Sequence, residues 1–99
     1  METVSVTEVP EGAQLIDVRS QMEWDEGHAA SAKHIPMEEI PSRLDDLDLD
    51  SDLYIMCRSG GRSAQVVDWL EKHGIDAISV RGGIIDWEHF GLPMEKGSN

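Results

Sequence analysis

The residues best placed to do chemistry are Cys57-Arg58-Ser59-Gly60-Gly61-Arg62-Ser63. Cys57 is the only cysteine of the chain. It follows Leu53-Tyr54-Ile55-Met56, four apolar residues rich in strand formers, and a helical pattern begins at Ala64. A buried strand, a tight glycine loop and a helix N-terminus are the parts that hold an anion over a nucleophile. The N–H groups of such a loop point inward, and the helix end adds partial positive charge. A free thiol titrates near about 8.5; beside Arg or a helix N-terminus it falls to between ~3.5 and ~7.5. Cys57 therefore reads as a thiolate nucleophile. A lone cysteine is commonly an inert, buried side chain. Two arginines and two glycines directly behind this one are a poor way to end a strand for packing alone.

Bulk properties bound the rest. Ninety-nine residues suit one domain, residues 1–94, with 95–99 as a C-terminal tail. No run approaches the ~20 apolar residues of a membrane span. The N-terminus lacks the basic and apolar regions of a signal peptide. A single cysteine permits no internal disulfide and no dithiol mechanism, and it fits a reducing, cytoplasmic setting. One cysteine and four scattered histidines make no zinc spacing, so no metal is expected. A net charge of −12 argues against nucleic acid as a partner. Glu38 to Asp52 alone holds seven acids and one arginine and reads as a solvated connection, or as a docking surface for a basic partner. Arg19, Arg58, Arg62 and Arg81 each follow an expected strand. If those strands are parallel, four cations share the edge where open α/β sheets bind ligands, which suits a small anion.

The elements that must carry these residues can be read in order. Val4 and Val6 suggest a short first strand, and Gln14 to Val18 a buried one. Ser20-Gln21-Met22-Glu23 matches a capping box, so a helix should run from Gln21 to Glu26, with Met22 and Trp24 inward. A brief strand is expected around Lys33 to Ile35. Met37, Ile40, Leu44 and Leu47 have helical spacing, interrupted at Pro41. After Leu53–Met56 and the loop, Ala64, Val67 and Leu70 give a helix from Ser63 to about His73, stopped by Gly74. Ala77 to Val80 is a strand, Arg81-Gly82-Gly83 a turn, and Ile84 to Phe90 a final helix with Trp87 in the core. Glu95 onward should fray. Strands alternating with helices imply a mostly parallel sheet covered on both faces.

Four stretches, in this order, resemble the signatures of single-domain rhodaneses, a sulfurtransferase family. They are Leu15-Ile16-Asp17-Val18-Arg19; Glu23 to His28 with Ala32-Lys33-His34-Ile35-Pro36; the loop from Cys57 to Ser63; and Gly82-Gly83, Trp87 and Gly91-Leu92-Pro93. The resemblance covers nearly the whole chain. Ala29 and Ser31 depart from it, where the family more often has a large aliphatic residue and a glycine. It implies a three-layer α/β/α rhodanese-like fold with a mostly parallel central sheet of about five strands. It also implies a two-step transfer without a cofactor. The Cys57 thiolate attacks the outer sulfur of thiosulfate or a persulfide, sulfite or a thiol leaves, and a thiol or cyanide then takes the sulfur. The amides of Arg58, Ser59, Gly60, Gly61, Arg62 and Ser63 would hold the persulfide. Arg58 and Arg62 would attract the donor. Asp17 and Arg19 would support the loop, Asp17 by accepting from loop amides or by bracing an arginine. His28 and His34 read as structural.

Two other readings compete. Phosphatases and arsenate reductases of related fold place five residues between Cys and Arg; here four separate Cys57 from Arg62, and the next position is Ser63. A non-catalytic or carrier module that relays sulfur between protein partners would have the same loop.

Overall fold

A computed structural model describes residues 1–97. Its strands are β1 (Glu2–Ser5), β2 (Gln14–Asp17), β3 (His28–Ala29), β4 (Lys33–His34), β5 (Leu53–Met56), β6 (Ile78–Arg81) and β7 (Met94–Glu95). Its α-helices are α1 (Gln21–Glu26), α2 (Gly61–Lys72) and α3 (Gly83–His89). Five strands form one sheet in the order β1-β6-β5-β2-β4, every pair parallel. The C-terminal ends of these strands share one edge, as the alternation of elements requires.

β5 is the second of three central strands and all four of its residues are buried. Strand alternation divides its side chains. Leu53, Ile55 and Cys57 join the cluster beneath α2, with Val66, Val67 and Leu70. Tyr54 and Met56 join the cluster beneath α3, with Ile84 and Trp87. A helix therefore covers each face, and the residue after the strand inherits the α2 side. That residue is Cys57.

Several elements differ from expectation. Met37 to Leu47 is not an α-helix but two 3-10 segments, Met37–Ser42 and Leu44–Asp46. Pro41 supplies no N–H, and the tighter winding still buries Ile40 and Leu47. Met22 points outward at 74 % exposure, while Trp24 is buried. Phe90 is exposed too. The fraying expected from Glu95 is not seen at Glu95 or Gly97. Glu95 pairs with His28 in a small antiparallel ladder, and the Gly97 N–H donates to the Asp25 carbonyl at 3.2 Å. Residues 98–99 lie outside the described residues.

Candidate active site

Helix α2 starts at Gly61, two residues before the apolar pattern announces it. Its N-cap is Gly60, at φ +126°, a conformation that side chains rarely adopt. This turn brings the first amides of α2 over the sulfur. The N–H groups of Gly60 and Ser63 donate to Cys57 Sγ at 3.1 and 3.3 Å. Ser63 is buried, and its hydroxyl donates to the Gly60 carbonyl at 3.0 Å and meets Ser79 Oγ at 2.9 Å. Burial pushes the Cys57 thiol pKa up. Hydrogen bonds from the Ser63 amide and hydroxyl and from the Gly60 and Ser59 amides outweigh it, and the thiol sits below its ordinary 9.0.

The other side of the loop is held by α3. Ile84 and Ile85 donate their N–H groups to the carbonyls of Cys57 and Arg58, at 2.9 and 3.2 Å. In a planar trans peptide the N–H points opposite to the carbonyl. Two carbonyls drawn toward α3 therefore turn the Arg58 and Ser59 amides away from it, and the Ser59 amide helps to hold the Cys57 thiol pKa down. Cys57 itself is only 1 % exposed.

Residues 6–90 match the family described as rhodanese-like domain. The chain belongs to that family. A protein of Allochromatium vinosum named sulfurtransferase is 39% identical, the match covering 85% of this chain and 79% of that one. The thiosulfate sulfurtransferase GlpE of Actinobacillus pleuropneumoniae is 35% identical, over 86% and 80%. The crystal structure of a rhodanese-like domain protein from Staphylococcus aureus, 38% identical, superposes with a TM-score of 0.82 over 88% of this chain and 91% of that one.

The arginines of this rhodanese-like chain are not arranged as four free cations. Arg19 is buried and paired with Asp17: its Nε reaches both carboxylate oxygens at 3.0 Å, and one terminal nitrogen reaches Oδ2 at 2.8 Å. Asp17 lies beside Met56 in the ladder, on the α3 face and away from Cys57. It braces an arginine; its recorded donors are all from Arg19, none from the loop amides. Arg19 also donates to the Gly27 and Glu23 carbonyls, at 2.8 and 3.4 Å. Arg81 turns to Thr3 and Glu8 at the β1 edge. Arg62 is clamped by Glu23 through two bonds of 2.6 and 2.8 Å. Among the described residues, Arg58 is the loop cation with no ion pair.

Glu23 was legible as a helix cap but not as part of the site. It accepts from the Ser20 N–H at 3.1 Å, closing the capping box, and from Arg62 as well. The Arg62 hydrogen bonds, opposed by partial burial and helped by Ser20, hold its carboxyl well below the usual range, at about 2. A cleft of about 430 Å³ opens beside the loop, lined by Arg58, Ile84, Glu23, Glu26 and Glu88 among others. His28 and His34, read as structural, both stack on Trp24, with centroids 3.5 and 4.8 Å away. His34 Nε2 donates to the Arg19 carbonyl at 2.7 Å. Among the described residues no group of carboxylates, histidines and cysteine is placed to hold a metal ion, and no helix is long and apolar enough to cross a membrane.

Proposed function

We propose that this protein is a sulfurtransferase that carries sulfane sulfur on Cys57. The Cys57 thiolate attacks the outer sulfur of thiosulfate or a persulfide. The S–S bond of the donor breaks, and its electron pair leaves on sulfite or on the departing thiolate. Cys57 keeps the outer sulfur as a persulfide. An acceptor thiolate or cyanide then attacks that sulfur, and the electron pair returns to Cys57. No electrons are gained or lost overall.

The observation that carries this reading is the set of amides on the Cys57 sulfur at the start of α2. An inert thiol has no use for them. Fixed N–H dipoles stabilise a sulfur anion before and after the transfer without reorganising. The recessed sulfur also suits such donors, because thiosulfate and persulfides each end in a single protruding sulfur atom. The relatives named sulfurtransferase support the same chemistry.

Mass spectrometry of the intact protein after thiosulfate, or after a low-molecular-weight persulfide, tests it. The expected result is a gain of one sulfur atom, lost on adding a thiol. Cys57→Ser should gain none while keeping its fold, since no other thiol exists. Sulfur uptake by that variant would remove Cys57 from the mechanism.

A carrier role is the second reading. The pairing of Arg62 favours it, because it leaves one cation fewer to draw in a free dianion. Slow turnover with thiosulfate beside rapid loading by a protein persulfide would select it.

A further inference from the structure

Thiosulfate brings two negative charges to a site that already holds a thiolate. What opposes that repulsion is the number of cations free to face the donor. Arg19 is neutralised by Asp17 inside the fold. Arg62 lies in the first turn of α2, close enough to feel the charge of Cys57, yet its two terminal nitrogens are both engaged by Glu23. Arg58 alone of the loop cations is left; Lys96 lines the same cleft from the chain's end, and Glu26, Glu88 and Glu95 outnumber the two.

The Glu23–Arg62 geometry is two-point and close, with the pair only partly exposed, at 26 % and 33 %. Such parallel contacts fix the guanidinium plane as well as its charge. Trp24, the next residue, is buried and stacks with both His28 and His34, so the backbone that carries Glu23 is itself braced. The pair is built into the fold.

We propose that Glu23 is a specificity-determining residue which, by holding Arg62, selects singly charged sulfur donors over dianionic ones. This rests on the sulfur-transfer reading above. The reaction step is unchanged: the Cys57–S bond forms as the donor S–S bond breaks, and the leaving group departs with the electron pair. Only the charge tolerated on the leaving group differs, a sulfinate or thiolate being preferred to sulfite. Donors of the preferred class are thiosulfonates and persulfides.

The test compares thiosulfate with methanethiosulfonate, which has the same outer sulfur and one charge fewer. Loading rates and KM are measured for wild type, Glu23→Gln and the double variant Glu23→Gln/Arg62→Gln. Glutamine keeps the length of Glu23 and can still accept in the capping box. In Glu23→Gln the released Arg62 should lower KM for thiosulfate about fivefold relative to methanethiosulfonate, an effect that fades at high salt. The step at saturation should change little. The double variant removes both charges and should return to the wild-type donor ratio. A purely structural role for Glu23 would weaken both donors alike. An unchanged donor ratio in Glu23→Gln, or a gain that survives in the double variant, overturns the inference while sulfur transfer stands. Failure of both donors to load wild type overturns sulfur transfer itself, and this inference with it.

Discussion

A β-carbon on Gly83 would collide with the carbonyl oxygen of Cys57. It would also stand 2.6 Å from the carbonyl oxygen of Arg58. These are the two carbonyls that α3 draws outward, so the bare backbone at Gly83 is what lets α3 approach the loop from behind. The residue is buried, at φ +49°.

Gly83→Ala should therefore be among the most damaging single changes in the chain. The left-handed backbone and the overlap with unyielding main chain should together cost roughly 2–4 kcal/mol. Urea unfolding measures the loss. Sulfur uptake per folded molecule should also fall, because the displaced carbonyls reorient the Arg58 and Ser59 amides. Wild-type stability in this variant would show that α3 does not position the loop.

Asp17 makes a contrasting case. It is wholly buried and carries the charge that balances buried Arg19. Asp17→Ala should cost about 3–5 kcal/mol by leaving that cation unmatched. Its side chain lies on the sheet face opposite Cys57, so sulfur uptake by the fraction that remains folded should stay near wild type. A larger loss of uptake than of folded protein would give Asp17 a direct part in the chemistry.

The histidine stack on Trp24 should behave as scaffolding. His28 is buried, donates through Nδ1 to the Ala29 carbonyl at 3.2 Å, and lies nearly parallel to the indole. His28→Ala removes the ring contact and opens space beneath α1, at about 1–3 kcal/mol. Thermal or urea unfolding reads this directly. Its effect on donor charge preference should resemble a loosened Glu23, smaller than Glu23→Gln.

Sulfur uptake should rise with pH and level off as Cys57 ionises, with its midpoint below 9.0. Burial works against this, and the amides of Ser63, Gly60 and Ser59, with the Ser63 hydroxyl, prevail. The stability consequence has a definite sign. Folding favours the thiolate, so its contribution is complete above the ordinary value of 9.0 and is lost as pH falls through the lower folded value. A midpoint at or above 9.0 would mean that burial dominates. Glu23 obeys the same sign at lower pH: its contribution is present above 4.5 and disappears as pH falls through about 2.

Local signals in the sequence located the elements around Cys57 well. The apolar run before Cys57 and the glycines after it announce strand, loop and helix within eleven residues. Ser20 and Glu23 announce α1 at its observed bounds, because a capping box is a contact between near neighbours. The relationships that escaped are those between distant residues. Arg62 and Glu23 lie 39 residues apart, and nothing near either one names the other. Gly83 reads as an ordinary turn glycine until α3 is seen against the loop. The strands β3 and β7 have two residues each, too few to show a period. Met37 to Leu47 has helical spacing because a 3-10 turn also places residues three apart on one side.

The order in which the strands are made differs from the order in which they lie. β1 leaves the ribosome before the other strands described, yet among the described residues its ladder partner is β6, with Glu2 opposite Ile78. It must wait for most of the chain to emerge before it finds a place. The backing of the sulfur loop comes later still, since Gly83 to Ile85 follow β6. A nascent chain therefore makes its thiol well before the helix that backs it, and the sulfur loop is held from behind only as α3 docks.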